Sequence, residues 1–148
     1  MTGAALNASG MLTVRATTVG HDSTLAQIIR LVMTEFKAVG CGYSINDSEV
    51  DDMYTAYNQE RSAFYVVELD GQVLGCGGFG PLSGGDSDTC ELRKMYFMAA
   101  LRGMGVGTSL LKLCLEKASE AGYRYCYLET MDDMKQAQRL YGRHGFNY

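Results

Sequence analysis

Arg102-Gly103-Met104-Gly105-Val106-Gly107 stands between a strand-like run, Glu91 to Met98 (ELRKMYFM), and a helical pattern, Thr108 to Ala121. Glycine falls at every second position, so little side chain shields the peptide groups of this turn. At a helix N-terminus, such N–H groups and the positive end of the helix dipole form a site for phosphate or pyrophosphate. Thr108 adds a hydroxyl there. The competing role for the turn is tight helix packing alone. Downstream, Leu110, Leu111, Cys114, Leu115 and Ala118 make the helix's apolar stripe, and Gly122 ends it. Tyr123 to Thr130 (YRYCYLET) then alternates as a strand. Strand, helix and strand in that order form a crossover, so the two strands run parallel.

The rest of the chain builds outward from this unit. Met11 to Thr18 is β-branched and alternating, which predicts a strand. Asp22, Ser23 and Thr24 offer N-caps to a helix carrying Leu25, Ile28, Ile29, Val32 and Phe36, with a stop at Gly40. Ser48 and Asp51 open a second, shorter helix with Val50, Met53, Tyr54 and Tyr57 on one face. Ala63 to Leu69 and Gln72 to Phe79 flank Asp70-Gly71, a two-residue hairpin turn. Gly80 to Asp88 reads as a loop. Asp132 or Asp133 caps a last helix with Met134, Ala137, Leu140 and Tyr141 on one side, and Gly145 ends it. Phe146 to Tyr148 reads as the start of a strand. The expected fold is α/β (α+β): a mixed, mostly antiparallel sheet with a central parallel pair and helices on both faces. Residues 1–10 are expected to form an N-terminal tail and residues 11–148 one domain, since 148 residues leave no room for a second.

Several kinds of chemistry drop out. Gly75 to Gly80 matches GxGxxG, but it lies on a hairpin arm with Pro81 after it, and a dinucleotide fingerprint must open a helix. The structural role, close backbone approach in a bulged strand, fits better. No Gly-Lys pair exists for a P-loop. The 5 cysteines have no CxxC spacing, and with only His21 and His144 there is no metal-ligand pattern, so no metal is expected. Unpaired, scattered cysteines fit a reducing, cytoplasmic setting. The net charge of −4 argues against nucleic acid, although residues 91–148 carry +3 and residues 1–90 carry −7. A basic second half can receive a phosphorylated small molecule. No apolar run reaches the ~20 residues of a membrane span, and no signal peptide is visible.

Together these residues resemble the GNAT superfamily of acyl-CoA-dependent N-acetyltransferases. Arg102, Gly105 and Gly107 match its Arg/Gln-x-x-Gly-x-Gly/Ala signature after the strand ELRKMYFM. Ala137 to Phe146 (AQRLYGRHGF) matches a second one, A-x-x-L-Y-x-x-x-G-F, at the family's separation. The resemblance covers about residues 11 to 148. It implies transfer of an acetyl group from acetyl-CoA, as co-substrate, to a primary amine of a small molecule or protein. By resemblance, Arg102, Gly103, Met104, Gly105, Val106, Gly107 and Thr108 would wrap the CoA pyrophosphate. The backbone of Tyr96, Phe97 and Met98 would pair with the pantetheine arm, and one of their N–H groups would hold the thioester carbonyl, where negative charge develops.

By the same resemblance Tyr141 is the general acid toward the departing thiolate; its other role is ring packing on the last helix. Glu91 stands where many members carry the acid that deprotonates the amine; its other role is an exposed strand-end carboxylate. The acceptor side would be roofed by the first two helices, with Tyr43, Asp47, Glu49, Asp51, Asp52, Tyr54 and Tyr57. Two positions and the chain's end depart from the family pattern. Ala99 replaces a frequent Pro, Met134 replaces a frequent Asn that bonds the pantetheine arm, and the last two strands are not reached by Tyr148. A sheet edge left there predicts either a homodimer that covers it or a longer natural chain. The alternative function is a non-catalytic CoA-binding or regulatory module of the same fold.

Overall fold

The computed structural model describes residues 5–8, 12–16, 34, 59–69, 72–101, 103–130 and 134–147. The two helices expected between Asp22 and Tyr57, the Asp70-Gly71 turn, Arg102, Asp132, Asp133 and Tyr148 lie outside the described residues, Thr34 excepted. Among the described residues, six strands form one sheet in sequential order: β1 (Ala5–Ala8), β2 (Leu12–Ala16), β3 (Ala63–Leu69), β4 (Gln72–Pro81), β5 (Thr89–Phe97) and β6 (Tyr125–Tyr127). The helices are α1 (Val106–Glu120) and α2 (Lys135–Arg143), with a short 3-10 turn at Ala99–Leu101. No described helix is long and apolar enough to cross a membrane.

The first five strands pair antiparallel and β5 pairs parallel with β6, so the expected mixed sheet with a parallel pair forms. Leu69 stands opposite Gln72, the register that a two-residue Asp-Gly turn imposes. Phe64 to Val67 are four consecutive buried residues, so both faces of β3 are covered. The main core lies on the face of Tyr65, Val67, Phe79, Cys90 and Leu92, where α1 presses Leu110, Leu111 and Cys114 onto the sheet. Gly77 of β4 allows this, because a Cβ there would come 3.0 Å from Leu110 Cδ2; a Cβ on Gly78 would come 2.7 Å from Phe64 Cδ2 on the neighbouring strand. The GxGxxG match is therefore a packing feature.

One irregularity shapes the site. Cys76 stands opposite Tyr96 but Gly78 opposite Arg93, so β5 carries one extra residue, and Lys94 takes φ 52°. Such a bulge bends its strand. Pairing of β5 with β6 stops at Glu91 opposite Tyr127, while β5 continues to Phe97. The parallel pair therefore joins at its start and parts beyond Glu91.

Several expectations change, among them the cap of α2, whose N-cap is Met134 and not Asp132 or Asp133. Ala5–Ala8, taken as tail, forms β1 against β2. The strand expected over Tyr123 to Thr130 shortens to Tyr125–Tyr127, because β5 bends away and the ladder ends. Phe146, expected to begin a strand, instead caps α2. Its N–H donates to Tyr141 O (3.1 Å), and that of Gly145 (φ 90°) to Gly142 O (3.3 Å). This pair of bonds is a Schellman cap, and its usual apolar contact is present as the Tyr141–Phe146 ring pair, 5.8 Å between centroids. The start of α1 is fixed below by the site itself. Its far end is pinned by Arg61, whose Nε donates to Ala121 O (2.9 Å) and whose guanidinium lies 3.9 Å over the Tyr123 ring.

Candidate active site

The glycine turn does two jobs at different glycines. Gly103 (φ 78°) and Gly105 (φ 76°) need the left-handed conformation, and a Cβ on either would meet nothing within 4 Å. The space outside them is open. Gly107 is the packing glycine: its Cβ would come 3.1 Å from Leu140 Cδ2 and 3.7 Å from Phe97 Cε2. It seats α1 against α2 and β5. Gly105 is the N-cap and has no side chain to offer, and no acid stands in the first turn. The first helical bond is Ser109 N–H to Gly105 O, 3.2 Å. The N–H groups of Val106, Gly107 and Thr108 precede it and are helix-end donors. Val106 is buried and anchors the turn, while Met104 is exposed.

At the end of β5, Met98 N–H donates to Leu74 O (2.8 Å). Phe97 stands opposite Gly75 and Tyr96 opposite Cys76. In an antiparallel ladder, successive residues direct their backbone groups to opposite sides. Tyr96 and Met98 therefore turn toward β4, and the N–H and C=O of Phe97 turn toward β6. The three residues expected to meet a ligand strand are thus not equivalent: Phe97 alone points its peptide groups into the gap between β5 and β6.

Tyr141 is buried on the core face. The Schellman cap fixes its position on α2, and the ring of Phe146 stacks edge-on against it at 64°. Burial pushes its phenol well above the ordinary value, and nearby Tyr96, Cys114 and Cys126 push the same way. It stays protonated at neutral pH and keeps a proton to donate. Among the described residues no hydrogen bond holds its hydroxyl.

Glu91 occupies the other face. It alternates with core-facing Cys90 and Leu92, beside Tyr127 on β6. Its Oε2 accepts from Arg93 Nε at 3.0 Å, and Arg93 Nη2 also donates to Pro81 O. Arg93 therefore ties the carboxylate to the end of β4. Sequence reasoning missed this partner, although residues two apart on a strand share a face. Tyr141 and Glu91 are thus brought to opposite sides of the same strand pair. Burial pushes the thiol of Cys76 up to about 12 and that of Cys114 higher still, so neither of these two is a ready thiolate. No group of three His, Cys, Asp or Glu residues among those described could hold a metal ion.

The comparisons decide what this arrangement belongs to. A model of the Acetyltransferase (GNAT) family matches residues 25–146. The chain belongs to the GNAT acetyltransferase family. It is an acyl-CoA-dependent acetyltransferase. It is 40% identical over 136 residues to the uncharacterized N-acetyltransferase YjgM of Escherichia coli, covering 91% of this chain and 81% of that protein. An uncharacterized N-acetyltransferase of Schizosaccharomyces pombe is 33% identical over 101 residues, 68% of this chain and 61% of that protein. An acetyltransferase from Streptococcus agalactiae has a similar fold, with a TM-score of 0.73 at 14% identity, over 90% of this chain and 83% of that one. A GNAT acetyltransferase from Elizabethkingia anophelis, solved with acetyl-CoA bound, has a TM-score of 0.65 at 19% identity, over 92% and 76%.

Proposed function

We propose that the chain moves an acetyl group from acetyl-CoA to a primary amine by direct attack, with the thioester held in the gap between β5 and β6. The observation that carries this is the parting of β5 and β6 beyond Glu91, with a proton donor on one face and a carboxylate on the other. The N–H groups of Val106, Gly107 and Thr108 bind the pyrophosphate, Gly103 and Gly105 keep its approach open, and Met104 flanks it. Phe97 N–H faces the thioester carbonyl and stabilises the charge that develops on its oxygen. The protonated amine, with a pKa of about 10 for a lysine-like case, loses its proton to Glu91, directly or through water. Its lone pair then attacks the carbonyl carbon from that face. As the C–S bond breaks, the electron pair leaves on sulfur, Tyr141 protonates or hydrogen-bonds the thiolate from the other face, and the second proton on the attacking nitrogen passes to water, leaving the neutral amide.

Acetyl-CoA is expected to raise the melting temperature of the chain in proportion to the logarithm of its concentration above Kd, and NAD and ATP at equal concentration to do so far less. A melting temperature indifferent to acetyl-CoA overturns the assignment of the glycine turn and the gap as the donor site.

A further inference from the structure

Past Tyr127 the chain keeps the alternation of a strand without a partner strand. Tyr125, Tyr127 and Glu129 are exposed, while Cys126, Leu128 and Thr130 turn inward, and Cys126 and Leu128 pack against the core. Thr130 therefore lies on the Tyr141 side of the sheet, beyond the last rung that joins β5 to β6. Its Oγ1 is buried and has no hydrogen-bond partner among the described residues. Buried hydroxyls are nearly always bonded, because an unmade bond forfeits the water it gave up. A hydroxyl both donates and accepts, so it suits a ligand whose backbone carries amide N–H and C=O groups.

We propose that Thr130 Oγ1 hydrogen-bonds an amide of the pantetheine arm, and that this bond helps hold the thioester in register between Phe97 and Tyr141. This rests on the reading that the arm lies between β5 and β6. The hydroxyl is left unsatisfied in the free protein and is satisfied by the donor substrate.

Calorimetric titration of Thr130→Val and Thr130→Ser with two probes tests this. Acetyl-CoA carries the arm, and adenosine 3′,5′-bisphosphate carries phosphates and adenine without it. The Val variant is expected to bind acetyl-CoA about 3- to 10-fold more weakly, the range of one net hydrogen bond. Its affinity for the bisphosphate stays at the wild-type value. The Ser variant keeps wild-type affinity for both. The ligand-free Val variant melts at or above the wild-type temperature, because the methyl group replaces a hydroxyl that bonds nothing. Equal acetyl-CoA affinity in wild type and Val variant overturns the proposal, as does equal weakening toward both probes or a lower melting temperature of the free Val variant. A wild-type chain that binds no acetyl-CoA overturns the underlying donor-site reading as well, so the two failures are distinguishable.

Discussion

Tyr141→Phe is expected to lower turnover by about 10²- to 10⁴-fold, the usual worth of a general acid, with acetyl-CoA affinity nearly unchanged. The ring is what the fold uses: it stacks on Phe146 and fills the core, and phenylalanine does both. Only the proton donor is removed. The deficit should also depend on pH. A thiol near pKa 8.5 leaves as a stable anion above that pH, so the loss is greatest at neutral pH and narrows as pH rises past the thiol. Burial holds the Tyr141 phenol above its ordinary value, so it does not titrate within that window. Steady-state rates across pH, under conditions where chemistry is limiting, check this. Wild-type turnover in the variant makes Tyr141 a packing residue.

Glu91→Gln is expected to lower kcat/KM at pH 7 by about 10²- to 10⁴-fold. Glutamine keeps the shape and can still contact Arg93, but it cannot take a proton from an ammonium ion. The variant must then wait for amine that is already neutral, and that fraction grows tenfold per pH unit below the amine's pKa of about 10. Its kcat/KM should climb toward the wild-type value as pH rises. A deficit of constant size from pH 7 to 9.5 assigns Glu91 to binding or to fixing β4 through Arg93, and the base must be sought elsewhere.

Local patterns carried much of the fold. Alternation and the Asp-Gly dipeptide located the β3–β4 hairpin to the residue at its turn, and the glycine turn with its apolar stripe located α1. α1 begins at Val106, two residues before the Thr108 that the sequence pattern predicts. Gly105 to Gly107 look like turn residues by propensity, yet Val106 and Gly107 are helical because Gly107 lets α1 close onto Leu140. The length of β6 depends on whether β5 stays beside it, and the bulge at Lys94 that parts them has no glycine to announce it. The apolar character of Phe146 suits a strand, but the same residue after a glycine stop is what a Schellman cap requires. For the site, the motifs named Tyr141 and the glycine turn. Which of Tyr96, Phe97 and Met98 faces the gap depends on β4 pairing, and the burial of Thr130 depends on a three-dimensional neighbourhood that no spacing encodes.

The central claim is that this strand pair carries out acetyl transfer to an amine. The most direct measurement is the release of free CoA thiol from acetyl-CoA, followed with a broad panel of primary amines, with mass analysis of the acceptor. Thiol release above the hydrolysis background is expected with at least one amine, matched mole for mole by an acetylated product. Acetyl-CoA binding without amine-dependent release across the whole panel contradicts it and identifies the chain as a CoA-binding module that keeps the fold without the chemistry.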